Sequence, residues 1–431
     1  MGTTRKPSAL GTSIPPTRDL TLDLARVACV MVVLVMHLLQ TGIGTTPDGR
    51  LVASFPLERQ PWFAAASWVG QIMPLFFVVG GFAAALGWRS AQLRGTTPNG
   101  FIRARVLRLT QPSLPLFLFF AVVLTVVSFL PVPTALVADA AVGAGSPLWF
   151  LAAYLLCQTA VPSMMRLHTS VPRTTIAVLA ALVVAVDVAR FTTGERDIGL
   201  LNLAFVWILV QQIGFWYADG WFDRRTPLAL VAIVAGCYLA LGALTAWGPY
   251  NNNMLYNLNP ATLPLVLLGL AQACLLRLLR RPLTRLMETR SVRAFVLFTG
   301  SRLMTIYLWH LPVILFVKGI ELALPGLSPN PETAAWWWSR LPVLAVVLAV
   351  LYVVTLLLAR WEVIGPLPPA PAKAIVAAAW VLVFIPPFGV MWFGLDLWWA
   401  LLGALSYAIA VPLLRSSIGL KTPSTFFRAP S

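Results

Sequence analysis

This sequence is short of charge. Asp, Glu, Lys and Arg make up 11% of its 431 residues, against about 25% in soluble globular chains. That shortage, with a mean hydropathy of +0.82, excludes a string of soluble domains and fits a chain that lies in lipid. Cysteine is scarce too. Cys29, Cys157, Cys237 and Cys274 each sit inside an apolar run, and none belongs to a Cys-x-x-Cys pair. A disulfide framework and a thiolate metal site are thereby excluded. No Gly-rich phosphate loop, metal-ligand cluster, Ser-His-Asp set, internal repeat or long low-complexity tract is present. Lysine is rare beside arginine, 4 against 27, a bias that fits a GC-rich bacterial genome. The net charge of +16 does not point to nucleic acid. The basic residues fall in short segments between apolar runs, as expected beside an anionic leaflet.

Apolar runs fill the chain instead. A span needs about 20 mostly apolar residues, and such runs recur at 20–40, 62–87, 113–131, 147–165, 175–191, 201–218, 227–247, 261–279, 295–318, 341–359, 374–393 and 396–414. The sequence predicts an all-α integral membrane protein, a polytopic helical bundle of about 12 spans. Of the 31 basic residues, 23 fall on one side of the alternation and 6 on the other, with Arg26 and Arg302 inside predicted spans. The positive-inside rule then puts the N- and C-termini in the cytoplasm. Residues 1–18 and 415–431 read as cytoplasmic tails. The basic stretch with Arg5, Lys6 and Arg18 leads into a retained first helix, because Leu39–Gly44 offers no clear small-x-small cleavage site. The Pro-rich stretch 366–371 reads as a linker. It divides a ten-helix core, 19–365, from two additional C-terminal helices at 372–414, which meet at Phe393-Gly394-Leu395 as a tight hairpin or one re-entrant feature.

Few residues in these runs carry chemistry. The first span reads Asp23-Leu24-Ala25-Arg26 and then, after ten residues, His37. An Arg inside a span costs about 2.5–3.5 kcal/mol even on lenient scales, so it asks for a reason. Eleven positions at about 100° each bring His37 onto the face of Arg26, about 17 Å along the axis. One reading is a ruler: a guanidinium holds a phosphate at the cytoplasmic mouth, and an imidazole a pantetheine-length away acts as base at a thioester. The other has Arg26 reaching the interface and pairing with Asp23, with His37 at the opposite interface. The segment 101–112, read as a cytoplasmic loop, holds Arg103, Arg105 and Arg108 and no acidic residue, which suits anionic phosphates or simply a basic loop. Tyr307-Leu308-Trp309-His310 ends two residues before Pro312. That proline removes a donor and favours a kink beside His310, at a cavity wall or within an interfacial aromatic belt.

Together these pieces resemble the acyltransferase-3 family of membrane-bound O-acyltransferases. The resemblance rests on Leu22-Asp23-x-x-Arg26 with His37, on Pro74–Phe82, on Arg105-x-x-Arg108 with Pro112, on Leu148-Trp149-Phe150-Leu151, and on Tyr307–His310. These follow the family's order across residues 19–365. The resemblance implies His37 as the catalytic residue with Arg26 essential beside it; His310 is read as a third catalytic residue, one that orients the acceptor or forms the second wall of the site. Arg105 and Arg108 match the family's donor-side element; Arg103 beside them is a further candidate for the donor, and Trp149, Phe150, Tyr307 and Trp309 are the candidates for substrate binding. The family commonly has Ser-Gly-Phe where this chain has Gly80-Gly81-Phe82.

The expected activity is transfer of an acyl group, acetyl or another short one, from cytoplasmic acyl-CoA to a hydroxyl of an envelope glycan or glycolipid. The expected setting is a bacterial plasma membrane, with lipids as surroundings, no nucleic acid partner and no metal. The residue that orients His37 is not evident, and Asp187 is the one candidate. The rival class is a transporter or flippase in which Arg26, His37, Arg302 and His310 line a substrate path.

Overall fold

The computed structural model describes residues 19–45, 51–132, 134–324 and 327–417. The tail at 1–18, Arg50 and residues 418–431 lie outside the described residues. The described chain is mostly helical, with one short hairpin and an isolated bridge between Leu258 and Ala261. In order the helices are α1 (Leu20–Gln40), α2 (Phe63–Gly70), α3 (Met73–Leu93), α4 (Pro98–Ser128), α5 (Thr134–Gly145), α6 (Leu148–Ser170), α7 (Pro172–Thr193), α8 (Asn202–Ala218), α9 (Pro227–Ala246), α10 (Leu263–Leu278), α11 (Arg280–Glu288), α12 (Arg290–Gly300), α13 (Leu303–Ala323), α14 (Ala334–Leu357), α15 (Ala359–Glu362), α16 (Lys373–Phe393) and α17 (Leu397–Arg415). A 3-10 turn at Arg196–Leu201 leads into α8, and strands β1 (Gly42–Thr45) and β2 (Leu51–Ser54) pair antiparallel with Gly42 opposite Ser54.

Eleven spans are long and apolar enough to cross a bilayer, or twelve if the pair α10–α11, bent by 58°, counts as one more. The short helices α2 and α5 extend α3 and α6 within single spans. Two placements differ from the sequence reading. The segment 101–112 is not a loop. It forms the first turns of α4, a 31-residue helix capped by the Thr97 side chain, because its arginines lower the hydropathy without weakening helix propensity. Arg302 lies in no span: it caps α13 where α12 breaks off.

Alternation of the helices gives two ends to the bundle. One is the basic face, where α1 begins and α4 carries its arginines, and the other is the far face, where α1 ends. Backbones approach most closely at α3 and α8. A Cβ on Gly81 would lie 2.4 Å from the Gln211 carbonyl, and one on Gly214 would lie 2.1 Å from that of Val78. Small residues at such crossings let dispersion hold helices together where lipid gives no hydrophobic drive. The C-terminal pair is a hairpin of two full helices, turned at Gly394 with φ +86°. It packs into the bundle, with Tyr407 of α17 against Phe117 of α4 at 4.8 Å between ring centroids. Tyr407 also donates to the Val383 carbonyl of α16. The linker passes beneath α4, where Asn99 and Arg103 donate to the carbonyls of Pro371 and Pro369, each at 2.8 Å.

Candidate active site

A cavity of about 740 Å³ opens toward the basic face between α1, α3, α4, α6, α12, α13 and α15. That is a size ordinary for small-molecule sites. α1 presents Asp23, Arg26 and Val30 to it, residues three and four apart that share a stripe. The Arg26 guanidinium lies 3.8 Å from the Asp23 carboxylate, so the pairing weighed from sequence is present, and it leaves Arg26 on the cavity wall. α4 contributes Arg105 and Arg108, again three apart. The structure does not bring Arg103 there. Two residues from Arg105 is about 200° around the helix, so Arg103 points the other way and is buried against the linker.

Three cavity residues carried no signal in the sequence. Gln158 of α6 is buried, and neither atom of its carboxamide has a partner among the described residues. Tyr154 lies one turn before it. Glu362 of α15 accepts from the Thr305 backbone N–H and hydroxyl, both at 2.6 Å, and so caps the first turn of α13 from a distance. Burial raises the Glu362 carboxyl above the usual carboxylate range, although the Thr305 bonds and the nearby Arg108 and Arg302 pull the other way.

The cavity ends on aromatic rings. Phe76, Phe150 and Tyr307 line its inner end, with Phe150 5.0 Å from Phe76 and 4.6 Å from Tyr307 between centroids. The Tyr307 hydroxyl donates to the Pro147 carbonyl at 3.0 Å. Trp149 and Trp309 do not reach the cavity. Trp149 stacks on Trp207 at 5.7 Å, and Trp309 meets Phe119 at 5.0 Å. Trp149 precedes the cavity residue Phe150, and Trp309 lies two residues past Tyr307; one step is about 100° and two are about 200°.

The two imidazoles lie just past this layer, outside the cavity wall. The Nε2 of His310 is 3.0 Å from the Nδ1 of His37, and the ring of Tyr307 is 5.6 Å from that of His310. The Nδ1 of His310 faces the Tyr307 carbonyl. A carbonyl only accepts, so this nitrogen carries the proton and the Nε2 of a neutral His310 accepts. His37 therefore donates from Nδ1, and its own Nε2 keeps a lone pair with no hydrogen-bond partner among the described residues. These tautomers are assigned from the bonding pattern. His310 is buried and His37 half-buried. Asp187, the residue considered for orienting His37, is occupied elsewhere: its carboxylate accepts from Asn202, Tyr250 and the Leu263 backbone N–H. The third histidine, His168, bridges Gln212 and Asp219.

Gly80 faces Tyr154, where an added Cβ would lie 3.1 Å from the ring. A serine at this position would therefore need the tyrosine to yield. The tyrosine fills the space that the family's serine would take.

The fold and site are those of a polytopic membrane bundle with an arginine-lined cavity on one face and a pair of imidazoles nearer the other. The acyltransferase domain of the acyltransferase-3 family matches residues 19–360, and the chain belongs to that family. It is thus a membrane acyltransferase. No curated protein and no solved structure matches it.

Proposed function

We propose that this acyltransferase moves a short acyl group, with acetyl the simplest case, from acyl-CoA to a hydroxyl of a cell-envelope glycan or glycolipid. It would do so in a plasma membrane with the basic face cytoplasmic, the orientation that the 23 to 6 distribution of Lys and Arg supports. The observation that carries the reading is the His37–His310 hydrogen bond, one helical turn beyond the aromatic end of a cavity walled by Arg26, Arg105 and Arg108.

The arginines hold the donor phosphates at the mouth through charge-assisted bonds. The pantetheine arm runs inward, and Tyr307 turns aside to let the thioester reach His37. The free Nε2 of His37 takes the proton of the acceptor hydroxyl as its oxygen attacks the thioester carbonyl. The carbon–sulfur bond breaks, and the thiolate takes that proton from His37 to leave as free CoA. His310 acts as a positioning residue: it fixes the His37 tautomer and shares the positive charge while His37 is protonated.

A transporter or flippase drew its best support from Arg302 as an intramembrane charge. With Arg302 at a helix junction on the basic face, that support is gone. The test is His37→Ala in the full-length protein, read by mass spectrometry of envelope glycans. Acyl transfer is expected to fall by about 10²–10⁴-fold, with membrane insertion and donor binding retained. Unchanged transfer would remove His37 as the base.

A further inference from the structure

The far face carries a second cavity, about 590 Å³, at the end of the bundle where α1 and its His37 terminate. Arg190 and Phe191 from the end of α7, Arg196 from the 3-10 turn, and Asn251, Tyr256 and Asn259 from the loop between α9 and α10 line it. The Arg190 guanidinium rests 5.0 Å above the Phe191 ring. Among the described residues neither Arg190 nor Arg196 has a carboxylate within ion-pair distance. The buried Asp187, one turn before Arg190 on α7, lies within electrostatic reach of it, while its oxygens accept from three neutral donors.

The Asn259 carboxamide and the Asn251 amide nitrogen have no hydrogen-bond partner among the described residues, and the Tyr256 ring is exposed. Two cations outside ion-pair distance of any described carboxylate, open carboxamides that match vicinal hydroxyls, and an exposed ring face form a site for an acidic sugar. A lipid phosphate would engage the cations and leave the carboxamides and ring unused.

The cleft is also wired to the catalytic helix. Tyr256 donates to Glu58 at 3.0 Å, and Gln40, three residues after His37 on α1, donates to the other Glu58 oxygen at 3.1 Å.

We infer that this cleft seats the acceptor, and that the acceptor is a glycan bearing an anionic group, a carboxylate or a phosphate. The inference rests on the glycan reading above and supplies its substrate class. The test uses the full-length protein in phosphatidylcholine nanodiscs and three labelled tetrasaccharides: one with a hexuronate, its carboxyl-reduced form, and one with a phosphomonoester. Expected is at least tenfold tighter binding of one or both acidic probes than of the neutral one. Arg196→Gln, an exposed position, should lose about threefold or more of that preference, and Arg190→Gln with Arg196→Gln should erase it.

Equal binding of neutral and acidic probes, no binding of any probe, or full preference in the double variant would overturn the inference. So would displacement of the acidic probes by phosphatidylglycerol in the disc, which would make the cleft a headgroup site. Because the readout is binding, a protein that binds acidic probes but transfers no acyl group would sink the catalytic reading alone.

Discussion

Two sets of cations sit in this bundle, and they are treated in opposite ways. Lys318 of α13 and Arg340 of α14 are both buried within their helices. Both lean on Glu321, Lys318 at 3.4 Å and Arg340 at 2.8 Å, and Lys318 also donates to Ser328. Their charge is spent within the protein. Arg105 and Arg108 line a cavity of about 740 Å³ and have no ion-pair partner among the described residues. Burial and pairing mark charges that hold helices together; an open, unpaired cluster marks charges kept for a ligand.

The sharpest way to break this contrast is Glu321→Ala. Removing the shared partner leaves two buried cations unpaired, and such losses run to about 3–5 kcal/mol. Thermal unfolding in detergent should register it, while donor affinity in the surviving folded protein should not move. Arg105→Gln and Arg108→Gln should behave in the reverse sense. Each removes a charge-assisted bond worth about 1.5–3 kcal/mol, which equilibrium binding of an acyl-CoA would read as roughly a ten- to hundredfold loss. Unfolding should stay within about 0.5 kcal/mol for Arg108, an exposed position, and within about 1 kcal/mol for Arg105, whose guanidinium rests 4.9 Å above the Phe101 ring.

Gln158→Leu extends the logic to a neutral group. Its carboxamide is buried and unsatisfied without a ligand, so the apolar replacement should stabilise the fold by about 1 kcal/mol and weaken donor binding several-fold. The smallest expected effect is in pH. Burial raises the Glu362 carboxyl, so as pH falls from neutrality Glu362 loses its charge above the ordinary carboxylate range. A carboxylate repels donor phosphates, and affinity should therefore rise as it protonates. Glu362→Gln should flatten that rise, and an unchanged slope would detach Glu362 from the donor.

The sequence disclosed what repeats at helical spacing and hid what depends on distant neighbours. Arg26 and His37 share a face of α1 because eleven residues make about three turns, and that was countable. The pairing of Arg105 with Arg108, and the exclusion of Arg103, follow from the same count. They stayed hidden only while 101–112 was read as a loop. Trp149 and Trp309 were drawn into the site by motif adjacency, one and two residues off the inward-facing position on their helices. Glu362 was beyond reach, since it meets Thr305 across 57 positions of chain. Contact between His37 and His310, 273 positions apart, was likewise a fact of tertiary packing. So was the diversion of Asp187 to Asn202, Tyr250 and Leu263.

The strap formed by the linker makes the acyltransferase domain dependent on chain that lies outside it. The family match stops at residue 360, yet the acceptor for the buried Arg103 guanidinium is the carbonyl of Pro369. The ring packed on Phe117 belongs to Tyr407. A version cut after residue 365 would retain every side chain proposed for catalysis and strand a cation inside α4, on the same helix that presents Arg105 and Arg108. The two appended helices are in this sense a built-in scaffold, and the minimal unit that folds extends past the minimal unit that reacts.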